Sequence, residues 1–332
     1  MINIAINGFG RIGRRVFRLL LNNPNIQVVA INDLANAKTL SHLLKYDSIH
    51  GVLNEVVSFD MNHIIVNDKK TPLLNKQLPK DINWKPFDVD LVVESSGKFK
   101  IKESLNFHIK NGAKRVILSV PPIEDDIKTI VFGVNEHILD EHEQIVSCAS
   151  CTTNNAAPML AIINELCGIK QAYITTVHSY TTDQSLHDQP HRDLRRARAA
   201  GQSIVPTTTG AAKALTKVFP ELSNVIGGCG IRVPVANGSL TDITLNVEKN
   251  VSISQINNAF KAASQGKYKG VLEYTEDPIV SIDIVGNTHS CIFDAQMTSS
   301  IGNMIKIIGW YDNETGYSSR IIDLIGNLSV KN

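Results

Sequence analysis

Cys151 lies in the run Ser147-Cys148-Ala149-Ser150-Cys151-Thr152-Thr153-Asn154-Asn155, between an apolar strand expected over 144–146 and an apolar helix expected over 156–167. A thiol there sits near a helix N-terminus, whose unpaired N–H groups carry partial positive charge and favour the thiolate. The position therefore predicts a nucleophile with a lowered pKa. His178 closes a strand expected over 173–177, where an imidazole can pair with a thiolate or serve as general base. The run from Pro190 to Ala200 is rich in arginine, and Thr207-Thr208-Thr209-Gly210 and Arg232 follow it. Guanidinium forks beside hydroxyl and backbone donors suit a phosphorylated substrate. Taken singly, Cys151 reads as a small buried thiol, His178 as a satisfied core imidazole and the basic run as a solvated surface. What joins them into chemistry is a cofactor signal.

That signal starts at the N-terminus. Residues 2–6 are apolar enough for a strand buried on both faces, and Gly8-Phe9-Gly10-Arg11-Ile12-Gly13 follows directly. Ile12, Val16, Phe17, Leu20 and Leu21 then recur at helical spacing until Asn22-Asn23-Pro24, and a second strand over 28–31 runs into Asp33. In such a unit Gly8 permits the tight turn, Gly10 lets a pyrophosphate approach the backbone, and Gly13 lets helix and strand pack closely. Asp33, about twenty residues after Gly13, can accept from an adenosine ribose and repel a 2′-phosphate. The pattern predicts NAD as the cofactor, with use of NADP left open. With a nicotinamide at hand, thiolate attack on an aldehyde gives a hemithioacetal whose oxyanion expels hydride. The thioester left behind can pass its acyl group to water or phosphate.

Further strands over 89–94 and 115–119 alternate with a helix over 101–111, which predicts an α/β, doubly wound Rossmann-type, mostly parallel sheet. Ser96 and Ser119 fall at strand carboxyl ends, where ligands bind such sheets. After Gly168, alternating apolar and polar residues over 173–177, 231–235, 240–248, 279–285 and 304–311 predict half-solvated strands. With helices over 209–219 and 254–264, the latter opened by a Ser cap, this half reads as an α+β catalytic domain with a mainly antiparallel sheet. Residues 1–150 would form the NAD-binding domain, with an apolar helix within 314–332 packing back on it, and 151–313 the catalytic domain. The 332 residues suit two domains. A balance of 33 basic against 32 acidic residues gives no field to attract nucleic acid or membrane. Five cysteines and no export signal read as thiols in a cytoplasm, and no metal site is expected.

Four ordered motifs resemble one family, the phosphorylating glyceraldehyde-3-phosphate dehydrogenases: Asn7 to Arg14, Ala149 to Asn154, Thr176-Val177-His178, and Trp310 to Tyr317. The resemblance implies NAD-dependent oxidative phosphorylation of glyceraldehyde 3-phosphate, with Cys151 as nucleophile and His178 as base. It implies that Thr181, Asp183 and Arg232 hold the substrate phosphate, and that Ser150, Thr152, Arg196, Thr209 and Gly210 hold the attacking inorganic phosphate. Arg11 and Ile12 would lie on the pyrophosphate, Asp33 on the ribose, Ser96 and Ser119 near the cofactor, and Asn313 on its carboxamide. It also implies a homotetramer, with the arginine-rich loop near a neighbouring subunit's cofactor site. The chain departs from the family at Cys148, commonly asparagine, at Asn155, often cysteine, at Gln189, often leucine, and at Val235-Ala236-Asn237-Gly238, usually Thr-Pro-Asn-Val. Cys148 creates a Cys-x-x-Cys spacing, read here as buried packing, with a regulatory disulfide to Cys151 as the alternative. The competing functions are an erythrose-4-phosphate dehydrogenase and a binding protein that has lost the chemistry.

Overall fold

The computed structural model describes residues 1–140 and 142–330; residues 141, 331 and 332, which fall within the expected NAD-binding domain, lie outside the described residues. The chain divides into two compact units. One comprises Met1–Ile130, His137–Ala149 and the segment from Ser318, and the other comprises Val131–Glu136 and Ser150–Tyr317.

The first unit is built on a nine-stranded sheet. Its central strands, Arg115–Leu118, Leu91–Glu94, Ile2–Asn7 and Ile26–Asn32, are parallel and nearly continuous in apolar residues, as strands covered on both faces must be. Lys69–Leu74 continues the parallel order, and His63–Val66 and Val57–Phe59 extend it antiparallel. Trp84, Val92, Leu105 and Val116 are buried in one of its core clusters. Neighbouring connections leave the strand Ile2–Asn7 in opposite directions, so the loops after Asn7 and Glu94 flank a topological switch point. The helix Arg11–Leu20 follows the first of these loops. From Ser318 the last helix, Thr315–Val330, belongs to this unit, where Arg115 donates to the Leu328 carbonyl.

The second unit carries an eight-stranded mixed sheet. Along its main path the order is Val205–Thr207, Ile226–Val233, Ile169–Ser179, Ser239–Val247, Met304–Tyr311, Cys291–Asp294 and Leu272–Thr275. Only Ile169–Ser179 with Ile226–Val233, and Leu272–Thr275 with Cys291–Asp294, pair parallel. The helices Cys151–Cys167 and Ile253–Gln265 pack against the sheet and each other. Ser252 caps the second of these helices through a capping box with Gln255.

Three local expectations need correction. The helix expected from Ala156 begins at Cys151, with Ser150 as its cap. Its polar first turns, unreadable as core from sequence, are buried because Thr152 bonds Tyr311 and Asn155 donates to the Ser290 and Trp310 carbonyls. The strand expected over 279–285 is a series of turns, in which Asp283 accepts from the Val280 N–H and Ile282 is exposed. The strand expected over 231–235 instead runs from Ile226 to Val233 through Gly227, Gly228 and Gly230, whose missing side chains hide it from any alternation pattern. No helix among the described residues is long and apolar enough to cross a membrane.

A Cβ on Gly13 would stand 2.3 Å from the Gly8 carbonyl and 3.1 Å from Ile6. Gly13→Ala is therefore expected to lose about 1–3 kcal/mol of stability by overpacking, measured by denaturant unfolding; an unchanged unfolding midpoint would refute the packing role.

Candidate active site

In the second unit the site begins with the helix that Cys151 opens. Ser150 accepts the Thr153 N–H at 3.1 Å and so caps it, leaving the thiol on the first turn. His178 arrives near the end of the strand Ile169–Ser179, and its Nε2 lies 3.4 Å from Cys151 Sγ. Parallel pairing puts His178 directly beside Arg232. One guanidinium nitrogen of Arg232 lies 2.6 Å from His178 Nδ1 and donates to the Ser179 carbonyl at 2.9 Å, while Nδ1 lies 2.7 Å from the same carbonyl. Arg232 can only donate and the carbonyl can only accept, so they favour opposite tautomers at Nδ1; the one with its proton on Nδ1, donated to the carbonyl, leaves the Nε2 lone pair facing the thiol. Tyr311 meets the imidazole edge-on at 5.9 Å, and its hydroxyl pairs with Thr152 Oγ1 at 2.9 Å.

The electrostatics correct one expectation. Burial pushes the Cys151 thiol above its ordinary range, outweighing the Arg232 charge and the Thr152 hydrogen bonds that pull it down. The helix N-terminus alone does not set the thiol, because the surrounding protein removes the water that would solvate a thiolate. Burial first and Arg232 second hold His178 down to about 3, so the imidazole is neutral at neutral pH. Arg232 thus acts on both partners, favouring the anionic sulfur and disfavouring the cationic ring.

The other phosphate-binding candidates lie in three places. Asp183 and Arg196 form an ion pair, and Arg196 also donates to Thr207 Oγ1 at 2.9 Å and to the Thr208 carbonyl. Thr209 and Gly210 precede the helix Ala211–Val218, which packs against the Cys151 helix. Thr181 lies in the turn after Ser179, its carbonyl accepting the Gln184 N–H. Asn313 is buried, its Oδ1 receiving bonds from Ser179, Ser239 and Gly238.

In the first unit, Gly8 has φ of +95°, and a Cβ there would stand 2.5 Å from the Ser96 nitrogen. Gly10 caps the helix, and nothing lies within 4 Å of where its Cβ would be. Asp33 accepts the Phe9 N–H at 2.7 Å, which fastens the glycine loop to the second strand. A tight turn, an open backbone face at a helix N-terminus and an adjacent carboxylate are the features a dinucleotide needs. Ile12 lies one residue further into that helix, and Arg11 directs its guanidinium to Asp47 at 2.7 Å. Ser119 is buried at the end of its strand. Sequence reasoning passed over a network beneath this loop. The buried Glu94 carboxylate accepts from Asn7, from the Ser96 N–H and hydroxyl, and faces His108, which in turn accepts from Trp84. It also missed Tyr311, Ser179 and Ser239. Tyr311, within the motif ending at Tyr317, and Ser179, directly after the Thr176-Val177-His178 motif, had a signal nearby.

A Rossmann-type nucleotide unit and a cysteine–histidine pair define a dinucleotide-dependent enzyme with a sulfur nucleophile. Family comparison is specific. Residues 2–102 match the model of the glyceraldehyde 3-phosphate dehydrogenase NAD binding domain, and residues 150–313 match that of its C-terminal domain. Glyceraldehyde-3-phosphate dehydrogenase 1 of Bacillus cereus is 50% identical over 333 residues, covering 100% of this chain and 99% of the relative. The Geobacillus stearothermophilus glyceraldehyde-3-phosphate dehydrogenase is 49% identical, covering 99% of each chain, and that of Thermotoga maritima is 48% identical, covering 98% of each. The chain belongs to the glyceraldehyde-3-phosphate dehydrogenase family, and it is an NAD-dependent oxidoreductase.

Removing the Arg232 charge should raise the thiol further. Arg232→Gln is expected to move the pH midpoint of Cys151 alkylation by iodoacetamide upward, followed by peptide-resolved mass spectrometry; a downward move would show that Arg232 does not stabilise the thiolate. Gly10→Ala should fold with at most about 1 kcal/mol lost at the cap, yet bind NAD more weakly in calorimetric titration, because the methyl would occupy the open face.

Proposed function

We propose that the protein oxidises and phosphorylates D-glyceraldehyde 3-phosphate to 1,3-bisphosphoglycerate in glycolysis or gluconeogenesis. The observation that carries this reading is the 3.4 Å approach of Cys151 Sγ to a neutral His178 with Arg232 against its far side. Cys151 adds through sulfur to the aldehyde carbon while His178 Nε2 takes the thiol proton and returns it to the former carbonyl oxygen, which gives the hemithioacetal and a neutral imidazole. The hemithioacetal then loses its hydroxyl proton to the same imidazole and becomes a thioester on Cys151. Bound NAD supplies the hydride acceptor for that oxidation. Inorganic phosphate displaces the sulfur, leaving the acyl phosphate and a restored thiol.

Arg232, with Thr181 and Asp183, is assigned to the substrate phosphate, a role suited to a guanidinium already beside the reacting pair. Ser150, Thr152, Thr209, Gly210 and Arg196 are assigned to the attacking phosphate. Two helix N-termini, at Cys151 and Ala211, supply N–H groups for such an anion. Gly8, Gly10, Arg11, Ile12, Gly13 and Asp33 are assigned to the adenosine and pyrophosphate, Ser96 and Ser119 to the neighbouring cofactor surface, and Asn313 to the carboxamide. A cytoplasmic homotetramer is the expected form. The arginine-rich segment, with Leu194 at 82% exposure, supports a surface that another subunit covers.

Cys151→Ser is expected to abolish NADH production from glyceraldehyde 3-phosphate and phosphate while leaving calorimetric NAD binding largely intact. His178→Asn should lower the rate about 10²–10⁴-fold. Turnover by the serine variant at the parent rate, or faster parent turnover with erythrose 4-phosphate, would overturn the assignment.

A further inference from the structure

Asn313 is held in one orientation by its neighbours. Its Oδ1 accepts from Ser179 Oγ at 2.9 Å, Ser239 Oγ at 3.1 Å and the Gly238 N–H at 3.3 Å. A backbone N–H can only donate, so the atom facing Gly238 is the amide oxygen, and turning the amide round would oppose donors to donors. Ser239 Oγ also accepts the Ser179 N–H at 3.1 Å, which leaves its one proton for Asn313 or the Ser179 hydroxyl. Ser179 and Ser239 are 0% and 1% exposed, so water does not compete for these hydroxyls. Gly238 has φ of +91°, and a Cβ there would lie 2.3 Å from the Ser281 carbonyl, so its N–H is fixed by backbone that only glycine adopts comfortably. The amide NH₂ takes no part in this network.

We infer that Ser179 and Ser239 are positioning residues that hold the Asn313 amide with its NH₂ outward, so that it donates to the carbonyl oxygen of the nicotinamide carboxamide. The inference rests on the assignment of Asn313 to that carboxamide. It adds a polarity. The cofactor is read here as an acceptor, and its own NH₂ is not required by this contact. Ser179 also carries the carbonyl at 2.7 Å from His178 Nδ1. One residue therefore orients both the base and the amide that meets the cofactor ring.

The test compares NAD with 3-acetylpyridine adenine dinucleotide, which keeps the ring carbonyl but lacks the amide NH₂. Binding is read as Kd by calorimetry, independently of turnover. The parent should hold both dinucleotides through the same Asn313 contact. In the double variant Ser179→Ala with Ser239→Ala, part of the Asn313 population can turn round and accept from the NH₂ of NAD, an option the analogue lacks. NAD binding should weaken about 2–10-fold, and the analogue by a further factor of that order, the worth of one hydrogen bond. Ser239→Thr, which keeps the hydroxyl, should retain the parent ratio of the two Kd values. Equal weakening of both dinucleotides, or none, would overturn the positioning role. Asn313→Ala separates the underlying assignment: an unchanged NAD Kd in that variant would remove Asn313 from the carboxamide, and the inference with it.

Discussion

The catalytic half of the molecule depends on the register of one parallel strand pair. Ile169–Ser179 and Ile226–Val233 run side by side so that His178 stands opposite Arg232, residues 54 apart in sequence. A slip of one residue would turn either side chain to the opposite face of the sheet. Across the other edge of Ile169–Ser179, Val177 pairs with Leu240, and on the far side of that next strand Ser239 pairs with Tyr311. The imidazole, the guanidinium, the phenol and the serines that hold Asn313 therefore gather at one end of a single sheet.

Burial in this cluster acts against charge, and the arrangement answers it with a fixed cation. Desolvation raises the thiol and lowers the imidazole, which favours the neutral pair. Arg232, itself partly buried, stabilises a thiolate and keeps the ring unprotonated. An anion bound to Arg232 would relax both effects together.

The nucleotide unit is organised more locally. Gly8, Gly10 and Gly13 each answer a different demand: a positive φ, an open face, and a loop carbonyl, that of Gly8, packed 2.3 Å from where a methyl would reach. Glu94 ties the loops after two adjacent strands together by accepting from Asn7 and Ser96. Cys148, just after the strand Ile145–Ser147 of the same sheet, is 1% exposed and pushed up to about 12 by burial. It is a packed thiol in this structure, as are Cys167 and Cys291, and none of the cysteines forms a disulfide.

What the sequence by itself determined follows from short-range rules. Apolar runs, glycine spacing and an acid at a set distance identify the nucleotide unit, because a βαβ turn places its functional groups within about thirty consecutive residues. Cys151, His178, Arg232 and Asn313 were legible as candidates through motif and chemistry. Their geometry was not. The pairing of His178 with Arg232, the lock that Ser179, Ser239 and Gly238 place on Asn313, and the Tyr311 contact to Thr152 all arise from strands brought together by sheet order, which no local pattern encodes. The same holds for the helix that starts at Cys151 rather than Ala156, whose polar first turns are satisfied by Tyr311, Ser290 and Trp310. The thiol's pKa belongs to this second class as well. The helix N-terminus that sequence places near Cys151 pulls it down, and only the tertiary fold decides how much water is removed around the sulfur.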